Sequence, residues 1–541
     1  MALAAGQVGQ VSIPFSASEI GDRQIRLTTT TPGGEVLTKD LTLGVRVLDP
    51  EITRQTRLQL SAGESFTVDA ATFDGFKPGT ARVTVATGAL AAFDAPGLLT
   101  ALDRYPYGCT EQTTSRALPL LYLSQVANTL GLAAPVEASA RIRDAIARVL
   151  ENQTGAGSFG LWSPGRGDLW LDAYVTDFLS RARALGHEVP TKAFRAALDN
   201  LTSSLSYAGD FDKGGEDITY ALMVLAREGR ASIGDLRYYA DAKAEALATP
   251  MAKAQLGAAL AMYGEQVRAD AMFRLASTHA LAPVENDTGW RSDYGSALRD
   301  GAAVLALSAE AGSNAVDRAK LTQAVAVRAG RWTSTQEKVW MLMATQAEIA
   351  ASDGQSVRTL RPADVADGGV AITADEDTEL VLTTFGVPET GAPAGGLGYQ
   401  LTRQYYSLEG DLVSPSEVAQ NTRLVVVLEV SPTEERAGRL MVDDPLPAGF
   451  EIDNPNLLQS GSVGALDWLD LATEAEMTEF RTERFRAAID HSGKSALRLA
   501  YIVRAVSPGE FHHPAALVED MYRPAFRAWT GTGRVNVVSA Q

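Results

Sequence analysis

A long helical stretch, flanked on both sides by strand-like sequence, most constrains the fold of this chain. From about residue 97 to about residue 351, apolar side chains recur every three or four positions, as on helices. Several helices begin alike, with an aromatic residue in a glycine-rich turn before an apolar run, as at Phe159, Phe211, Trp290 and Trp332. A unit that recurs at roughly forty to sixty residues predicts stacked helix pairs, with these aromatic residues packed between them. About twelve helices in six pairs could close into an α/α toroid.

The segments on either side of the helices predict β structure. Leu41, Leu43 and Val45 alternate with polar residues, which is the two-residue period of a half-buried strand. Further strands are predicted at 65–68, 81–86, 370–372, 380–382, 424–430, 438–442 and 496–506. The chain is therefore predicted to be a multidomain α+β protein.

Composition and charge narrow the classes of function. The chain is 45% apolar and 21% charged, which fits a globular protein of about three or four domains. Its net charge of −18 argues against a nucleic-acid partner, because proteins that bind nucleic acids usually carry an excess of positive charge. No apolar run reaches the roughly 18 residues that a membrane span needs. The first residues lack the features of a secretory signal and begin in mid-pattern, as expected of a piece of a longer protein.

Cys109 is the single cysteine, and a glutamine follows three positions later at Gln112. One cysteine excludes an intrachain disulfide and a multi-cysteine zinc site, and we predict neither a metal nor a cofactor. A thiolate that attacks a side-chain amide displaces ammonia and leaves the acyl group on sulfur. Between Cys109 and Gln112 the product would be an internal thioester, which burial would protect from water. The alternative is a buried cysteine and a polar neighbour that never condense.

The residues around Cys109 make this chemistry more specific. The run Tyr105–Thr114, Tyr-Pro-Tyr-Gly-Cys-Thr-Glu-Gln-Thr-Thr, resembles the thioester site of the α2-macroglobulin and complement family. The family core is Gly-Cys-Gly/Leu-Glu-Gln, bacterial members carry the Tyr-Pro-Tyr-Gly lead-in, and Thr110 stands at the variable position. The run 518–524, Val-Glu-Asp-Met-Tyr-Arg-Pro, resembles the closing motif of the bacterial macroglobulins. The resemblance covers most of the chain.

The resemblance implies an order of domains. Residues 1–50 would end a macroglobulin-like β domain, and residues 51–90 and 354–392 would together form a CUB-like β domain. Residues 91–353 would be a thioester-containing α/α toroid of about six helical hairpins, inserted into the CUB-like domain. Residues 393–541 would be a C-terminal macroglobulin-like β-sandwich.

The resemblance also implies roles for six side chains. Cys109 and Gln112 would form a thioester that is used once, so the protein would not be an enzyme. Four side chains would shield the bond from water: Tyr105, Tyr107, Met521 and Tyr522. Some complement members place a histidine near the thioester, but the matching stretch here, residues 210–217, has none. Direct attack by amines is therefore predicted.

Full-length members of this family trap proteases after cleavage of a bait segment. The resemblance thus implies part of a broad-spectrum endopeptidase inhibitor that couples covalently to lysine amines of proteases. It also implies a monomer in the periplasm, with the full-length protein anchored to the inner membrane as a lipoprotein. Two alternatives come from other classes: an α/α-toroid enzyme of the terpene cyclase or prenyltransferase type, and a binding module without a formed thioester.

Overall fold

Strands form both ends of the chain and helices fill its middle, as the sequence predicts. The structure is a computed structural model. It describes residues 7, 13–17, 19–132, 135–284, 289–330, 332–349, 356–456, 461–471 and 473–539. The predicted α+β class is confirmed.

An antiparallel hairpin near the start of the chain consists of β1 (Gly21–Thr30) and β2 (Val36–Val45). Leu43 and Val45 are half-buried, as their alternation predicts, whereas Leu41 is 39% exposed. The hairpin forms a sheet of its own.

A second β unit contains strands from before and after the helices. The earlier strands are β3 (Ile52–Leu60), β4 (Ser65–Val68) and β5 (Arg82–Thr87). The later strands are β6 (Val357–Leu360), β7 (Val370–Thr373) and β8 (Thr378–Gly386). One sheet has the order β3-β8-β5-β6, and β4 pairs with β7, so each earlier strand pairs with a later one. The helical region is therefore an insertion into this unit.

The helices of the inserted region are α1 (Ala89–Ala92), α2 (Ala95–Asp103), α3 (Thr110–Ala117), α4 (Leu120–Thr129), α5 (Pro135–Glu151), α6 (Leu169–Ala184), α7 (Thr191–Ser206), α8 (Glu216–Arg227), α9 (Ile233–Ala242), α10 (Pro250–Met262), α11 (Gln266–Leu281), α12 (Ala297–Glu310), α13 (Arg318–Arg328) and α14 (Thr335–Ile349). A helix with Pro119 early in it was predicted after the Cys109 motif and corresponds to α4, whereas the short helix α3 that begins within the motif was not predicted. Pro119 lies between the two helices, where it lacks the N–H that a continuous helix would use.

Six of these helices form a closed inner ring. Helices α3, α6, α8, α10, α12 and α14 pack side by side in that order, and α14 returns to α3. In α6, α10 and α12, long uninterrupted runs of residues are buried, as expected of helices surrounded on all sides. Helix α7 packs outside α6 and α8 and buries a single stripe, which includes Phe194 and Leu201. The ring is the predicted α/α toroid.

The last β unit is a sandwich of strands β9 (Gly395–Leu397), β10 (Tyr399–Tyr406), β11 (Leu412–Val413), β12 (Val418–Ala419), β13 (Arg423–Pro432), β14 (Arg436–Pro445), β15 (Phe450–Ile452), β16 (Met477–Phe480), β17 (Arg484–Gly493), β18 (Leu497–Ala505), β19 (Gly509–His513), β20 (Leu517–Asp520), β21 (Arg527–Trp529) and β22 (Gly533–Val538). Its larger sheets have the orders β11-β10-β13-β18-β15 and β16-β17-β14-β20-β21-β9, with a common apolar core. The outer face of the second sheet contributes Met441 and Ala488 to the hydrophobic cluster of the toroid, together with Met521 and Tyr522. The sandwich therefore docks on the toroid through this face.

Candidate thioester site

Cys109 is the N-cap residue of α3, and Gln112 is the third residue of that helix. The N–H of Gln112 donates to Cys109 Sγ at 3.4 Å, and the N–H of Cys109 donates to Gln112 Oε1 at 3.2 Å. This reciprocal pair is a capping box, in which cysteine replaces the usual Ser/Thr and glutamine is one of the two usual residues at the third helix position. The spacing of a helix start thus brings the thiol and the amide together within one turn.

Both side chains are fully buried, with no exposed surface. Burial raises the pKa of the Cys109 thiol well above its usual range, and the charge of the Glu111 carboxylate raises it further. Hydrogen bonds from the Gln112 N–H and the Tyr522 hydroxyl act in the opposite direction but do not outweigh burial. In this environment Cys109 is a protonated thiol, which is a weak nucleophile.

The Glu111 carboxylate, between these two residues, accepts hydrogen bonds from four buried side chains. The donors are Ser115 Oγ at 2.5 Å, Gln336 Nε2 at 2.7 Å, Thr335 Oγ1 at 3.0 Å and Tyr522 Oη at 3.2 Å. Burial raises the pKa of Glu111, although all four donors favour its ionised form. Glu111 thereby ties the start of α3 to the start of α14 and to the C-terminal sandwich.

The turn after β20 covers the site from the side of the sandwich. Met521 and Tyr522 are 2% and 5% exposed. Met521 Sδ accepts a hydrogen bond from Gln112 Nε2 at 3.2 Å. The Tyr522 ring packs edge-on against Tyr294 of the toroid, with 4.8 Å between the ring centroids. The two domains therefore meet directly over Gln112.

The loop between α2 and α3 covers another side of the site. Tyr105 Oη accepts a hydrogen bond from Gln112 Nε2 at 3.3 Å. The Tyr105 ring packs edge-on against Tyr107, whose side chain is 4% exposed. From the sandwich, Arg486 donates to the Pro106 carbonyl at 3.0 Å and lies 5.4 Å from the centre of the Tyr107 ring. The loop is thus held between the toroid and the sandwich.

The structure brings all six of the residues predicted from the sequence to this one region. Gln112 contacts Cys109, Tyr105 and Met521, and its neighbour Glu111 contacts Tyr522. The Tyr107 ring packs against the ring of Tyr105. Their chemical roles remain predictions.

Among the residues that the structure describes, no group of three or more His, Cys, Asp or Glu side chains could hold a metal ion. Across the same residues, no helix combines the length and the apolar character of a membrane span.

Two family descriptions match the chain over the regions that contain the motifs. Residues 85–223 match "A-macroglobulin TED domain", and residues 398–525 match "Bacterial Alpha-2-macroglobulin MG10 domain". "Alpha-2-macroglobulin" of Escherichia coli (strain K12) is 29% identical over 94% of this chain and 33% of its own length. The corresponding protein of Xylella fastidiosa (strain Temecula1) is 28% identical over 91% of this chain and 32% of its own length.

Solved structures agree with these matches. Native E. coli alpha-2-macroglobulin, from domain MG7 to the C-terminus, superposes with a TM-score of 0.83 at 27% identity, over 96% of this chain and 88% of that one. The chain resembles the C-terminal portion of bacterial alpha-2-macroglobulins. Salmonella alpha-2-macroglobulin reacted with methylamine gives the same TM-score at 28% identity, over 96% of this chain and 36% of that one. The chain spans about a third of the length of the curated relatives that it matches.

These matches confirm the predicted fold class. It is a multidomain α+β protein in which an α/α toroid is inserted into a CUB-like β domain, with macroglobulin-like β structure beside them.

Several aromatic and basic side chains at the interface were not predicted to act there. Two tryptophans that open helical hairpins, Trp290 and Trp332, were expected to pack between hairpins, but they are 39% and 36% exposed. Cations of the sandwich lie over them instead, with Arg523 5.8 Å from the Trp290 ring centre and Arg527 3.8 Å from that of Trp332. The packing prediction is wrong for these two because the sandwich covers the ends of the hairpins. It is correct for Phe159, which is completely buried.

Glu111 was within the recognised motif, yet no role was assigned to it. Its position between Cys109 and Gln112 was the sequence signal that could have indicated a role in the site. Its partners Thr335 and Gln336 lie more than two hundred residues away, and only the closure of the ring brings them near.

Proposed function

We propose that Cys109 and Gln112 condense into an internal thioester, and that this chain is the thioester-bearing part of a broad-spectrum endopeptidase inhibitor. The reciprocal hydrogen bonds between the two residues carry this proposal, because they hold the thiol beside the amide that it would attack. Complete burial of both side chains and the similarity to bacterial alpha-2-macroglobulins also support it.

Thioester formation would balance within the pair. The sulfur of Cys109 bonds to the amide carbon of Gln112, the carbon–nitrogen bond breaks, and the nitrogen leaves as ammonia with the proton of the thiol. The N–H of Cys109 already donates to Gln112 Oε1, the oxygen on which negative charge develops in the tetrahedral intermediate. A donor placed there in advance stabilises that charge.

The shielding residues would set when the bond reacts. Tyr105 and Met521 contact Gln112 directly, while Tyr107 and Tyr522 pack behind them. Because Met521 and Tyr522 belong to the sandwich, a conformational change that separates it from the toroid would uncover Gln112. A lysine amine of the attacking protease then bonds to the acyl carbon, and Cys109 leaves as a thiol that takes up a proton. Each molecule reacts once, so the protein is not an enzyme.

Amines are the proposed nucleophiles, without a histidine intermediate. The rings of His279, His491, His512 and His513 form hydrogen bonds with Lys253, Gly493, Asp49 and Tyr405, respectively, and the backbone N–H of His187 donates to the Ala182 carbonyl. These partners lie outside the Cys109 motif, which supports direct attack by an amine.

The remaining parts of the proposal rest on the family. The partners would be proteases, the protein would be a monomer in the periplasm, and the full-length form would be a lipoprotein of the inner membrane. The sequence-based divisions at 1–50, 51–90, 91–353, 354–392 and 393–541 are proposed as the domains. The pairing of strands from both sides of the helices supports the split CUB-like domain.

Intact-mass spectrometry of the native chain tests the central step. The thioester form should be lighter than the calculated mass by one ammonia and should show no reactive thiol. Methylamine should add one molecule per chain, place a methylamide on Gln112 and release the Cys109 thiol. The Cys109→Ala variant should keep the calculated mass and ignore methylamine. A native chain of full calculated mass with an unreactive Gln112 would refute the proposal.

A further inference from the structure

The amide nitrogen of Gln112 marks the position that an attacking amine must occupy. Nε2 lies between Tyr105 Oη at 3.3 Å and Met521 Sδ at 3.2 Å. This nitrogen departs as ammonia when the thioester forms, and attack by an amine is the reverse of that step. An incoming amine therefore approaches the acyl carbon between the same two side chains.

These two side chains face different surroundings. Met521 is 2% exposed, and its backbone N–H donates to the Arg439 carbonyl of β14, so it is fixed within the docked sandwich. Tyr105 is only half-buried, and it lines an interdomain cleft of about 1090 Å³. The Tyr105 ring thus separates this cleft from the fully buried Gln112.

The cleft lies where three parts of the molecule meet. Its walls include Ala101 of α2, Gly330 after α13, Lys338 of α14, Arg54 of β3 and Glu519 of β20. Acidic and basic side chains are almost balanced along these walls, and many of them pair with each other, as Arg527 does with Glu519 at 2.7 Å. A cleft with this balance does not select for cations.

The environment also favours the neutral form of an amine. Lys338 is the chain's own primary amine on the cleft wall, and its Nζ donates to the Thr333 carbonyl. Burial lowers the pKa of Lys338 to about 8. An amine that enters this space loses solvation in the same way, and its neutral form is the nucleophile.

We propose that this cleft is the access route by which small primary amines reach the thioester in the closed molecule, passing Tyr105 to the former position of Gln112 Nε2. The proposal rests on the thioester proposed above and adds the path by which a small amine enters the closed molecule. In the reaction, the amine nitrogen bonds to the acyl carbon of Gln112, the carbon–sulfur bond breaks, and the proton released by nitrogen protonates the Cys109 sulfur. A protein lysine is too large for this route and reacts only after the sandwich separates. The same route lets ammonia leave during thioester formation.

Two cleft-filling variants test the route against amines of two sizes. Ala101 and Gly330 both line the cleft, Ala101 is half-buried, and a Cβ at Gly330 would meet no atom within 4 Å, so we choose these two positions to narrow the cleft with tryptophan. We expect Ala101→Trp and Gly330→Trp each to slow the incorporation of methylamine, the smaller amine, by about tenfold or more. The slow coupling of dansylcadaverine, the larger amine, should stay unchanged. Val267→Trp on α11, which is 84% exposed, serves as the control and should change neither rate.

A third variant loosens the docked sandwich away from the cleft. Arg439 lies 4.7 Å from the ring centre of Tyr294 and 5.5 Å from that of Trp290, and none of the three lines the cleft. Arg439→Met should accelerate the coupling of dansylcadaverine more than the coupling of methylamine.

The intact mass of each variant before the reaction shows whether its thioester has formed and identifies folded chains. Unchanged methylamine rates in both tryptophan variants would overturn the route, as would methylamine and dansylcadaverine rates that change in parallel in every variant. If the wild-type chain carries no thioester, the proposed function fails and the route fails with it. If it carries one and the filled cleft has no effect, only the route fails.

Discussion

At the scale of single residues, the site depends on hydrogen bonds that serve two purposes. The N–H of Cys109 donates to the Gln112 side chain in the fold and would stabilise an oxyanion in the reaction. The amide nitrogen of Gln112 donates hydrogen bonds to Tyr105 and Met521, and it occupies the position that an attacking amine would take. Ordinary structural bonds of a helix start therefore position the groups for acyl transfer.

Glu111 should make stability depend on pH in a defined direction. Its pKa is raised by burial from a usual value of 4.5, so its contribution to stability is complete below that value. This contribution is lost as the pH rises through the higher pKa of the folded state, because ionisation of a buried carboxyl is penalised.

Glu111→Gln should remove this loss. Relative to the wild type, the melting temperature of the variant should rise between pH 4.5 and 8, by about 2 to 5 °C for each unit by which the pKa is raised. Differential scanning fluorimetry across this range measures the difference, with the exposed Glu188→Gln as the control. A difference that stays constant or falls with pH would contradict the assignment.

At the scale of elements, the start of α3 gives a prediction that separates folding from chemistry. Cys109 accepts the N–H of Gln112 as an N-cap, and serine is a stronger N-cap than alanine. Cys109→Ser should therefore be more stable than Cys109→Ala by about 1 kcal/mol, or about 2 to 4 °C in melting temperature.

Neither variant should lose ammonia or take up methylamine, because both lack the sulfur. Calorimetry and intact mass on the same samples check the two parts independently. Equal melting temperatures would show that the N-cap bond of Cys109 contributes nothing to the stability of α3.

Elements with a clear period were predictable from the sequence, and their partners were not. The helical period located the helices around the ring, and the strands on both sides of it were placed near β4, β5, β7 and β8. Pro119 was placed at the start of the helix after the motif, as it is in α4, whereas the short helix α3 that begins within the motif was not predicted. Trp290 and Trp332 were misplaced because periodicity reports that a side chain is covered and not which domain covers it.

The six predicted site residues came from short motifs rather than from periodicity. The motifs named Cys109, Gln112 and the residues of the turn after β20, although these two segments lie about four hundred residues apart in sequence. No local signal identified Arg439 or Arg486, since a lone arginine on a strand is ordinary surface sequence. Their position over the toroid follows only from the docking of the sandwich.

At the scale of the whole molecule, contacts between arginines and aromatic rings help to hold the sandwich on the toroid. Four arginines of the sandwich contact aromatic rings of the toroid and its loops, and we name them the interdomain latch: Arg439, Arg486, Arg523 and Arg527. Cation–ring contacts are individually worth about 0.5 to 2 kcal/mol, so the latch can release without unfolding either domain. Such an interface suits a bond that must stay covered until a trigger acts.

Arg486→Met should weaken the latch while keeping an unbranched side chain beside Tyr107. The variant loses the hydrogen bond to the Pro106 carbonyl. The two carboxylate partners of Arg486 keep other arginines, because Arg484 still pairs with Asp443 and Arg481 with Glu479. A hydrogen bond from a charged group contributes about 1.5 to 3 kcal/mol, so the open population and the coupling rate of dansylcadaverine should rise about tenfold or more. Arg498→Met removes an exposed ion pair with Glu429 elsewhere in the sandwich and should leave the rate unchanged. If dansylcadaverine couples to Arg486→Met no faster than to the Arg498→Met control, the latch does not control exposure of the thioester.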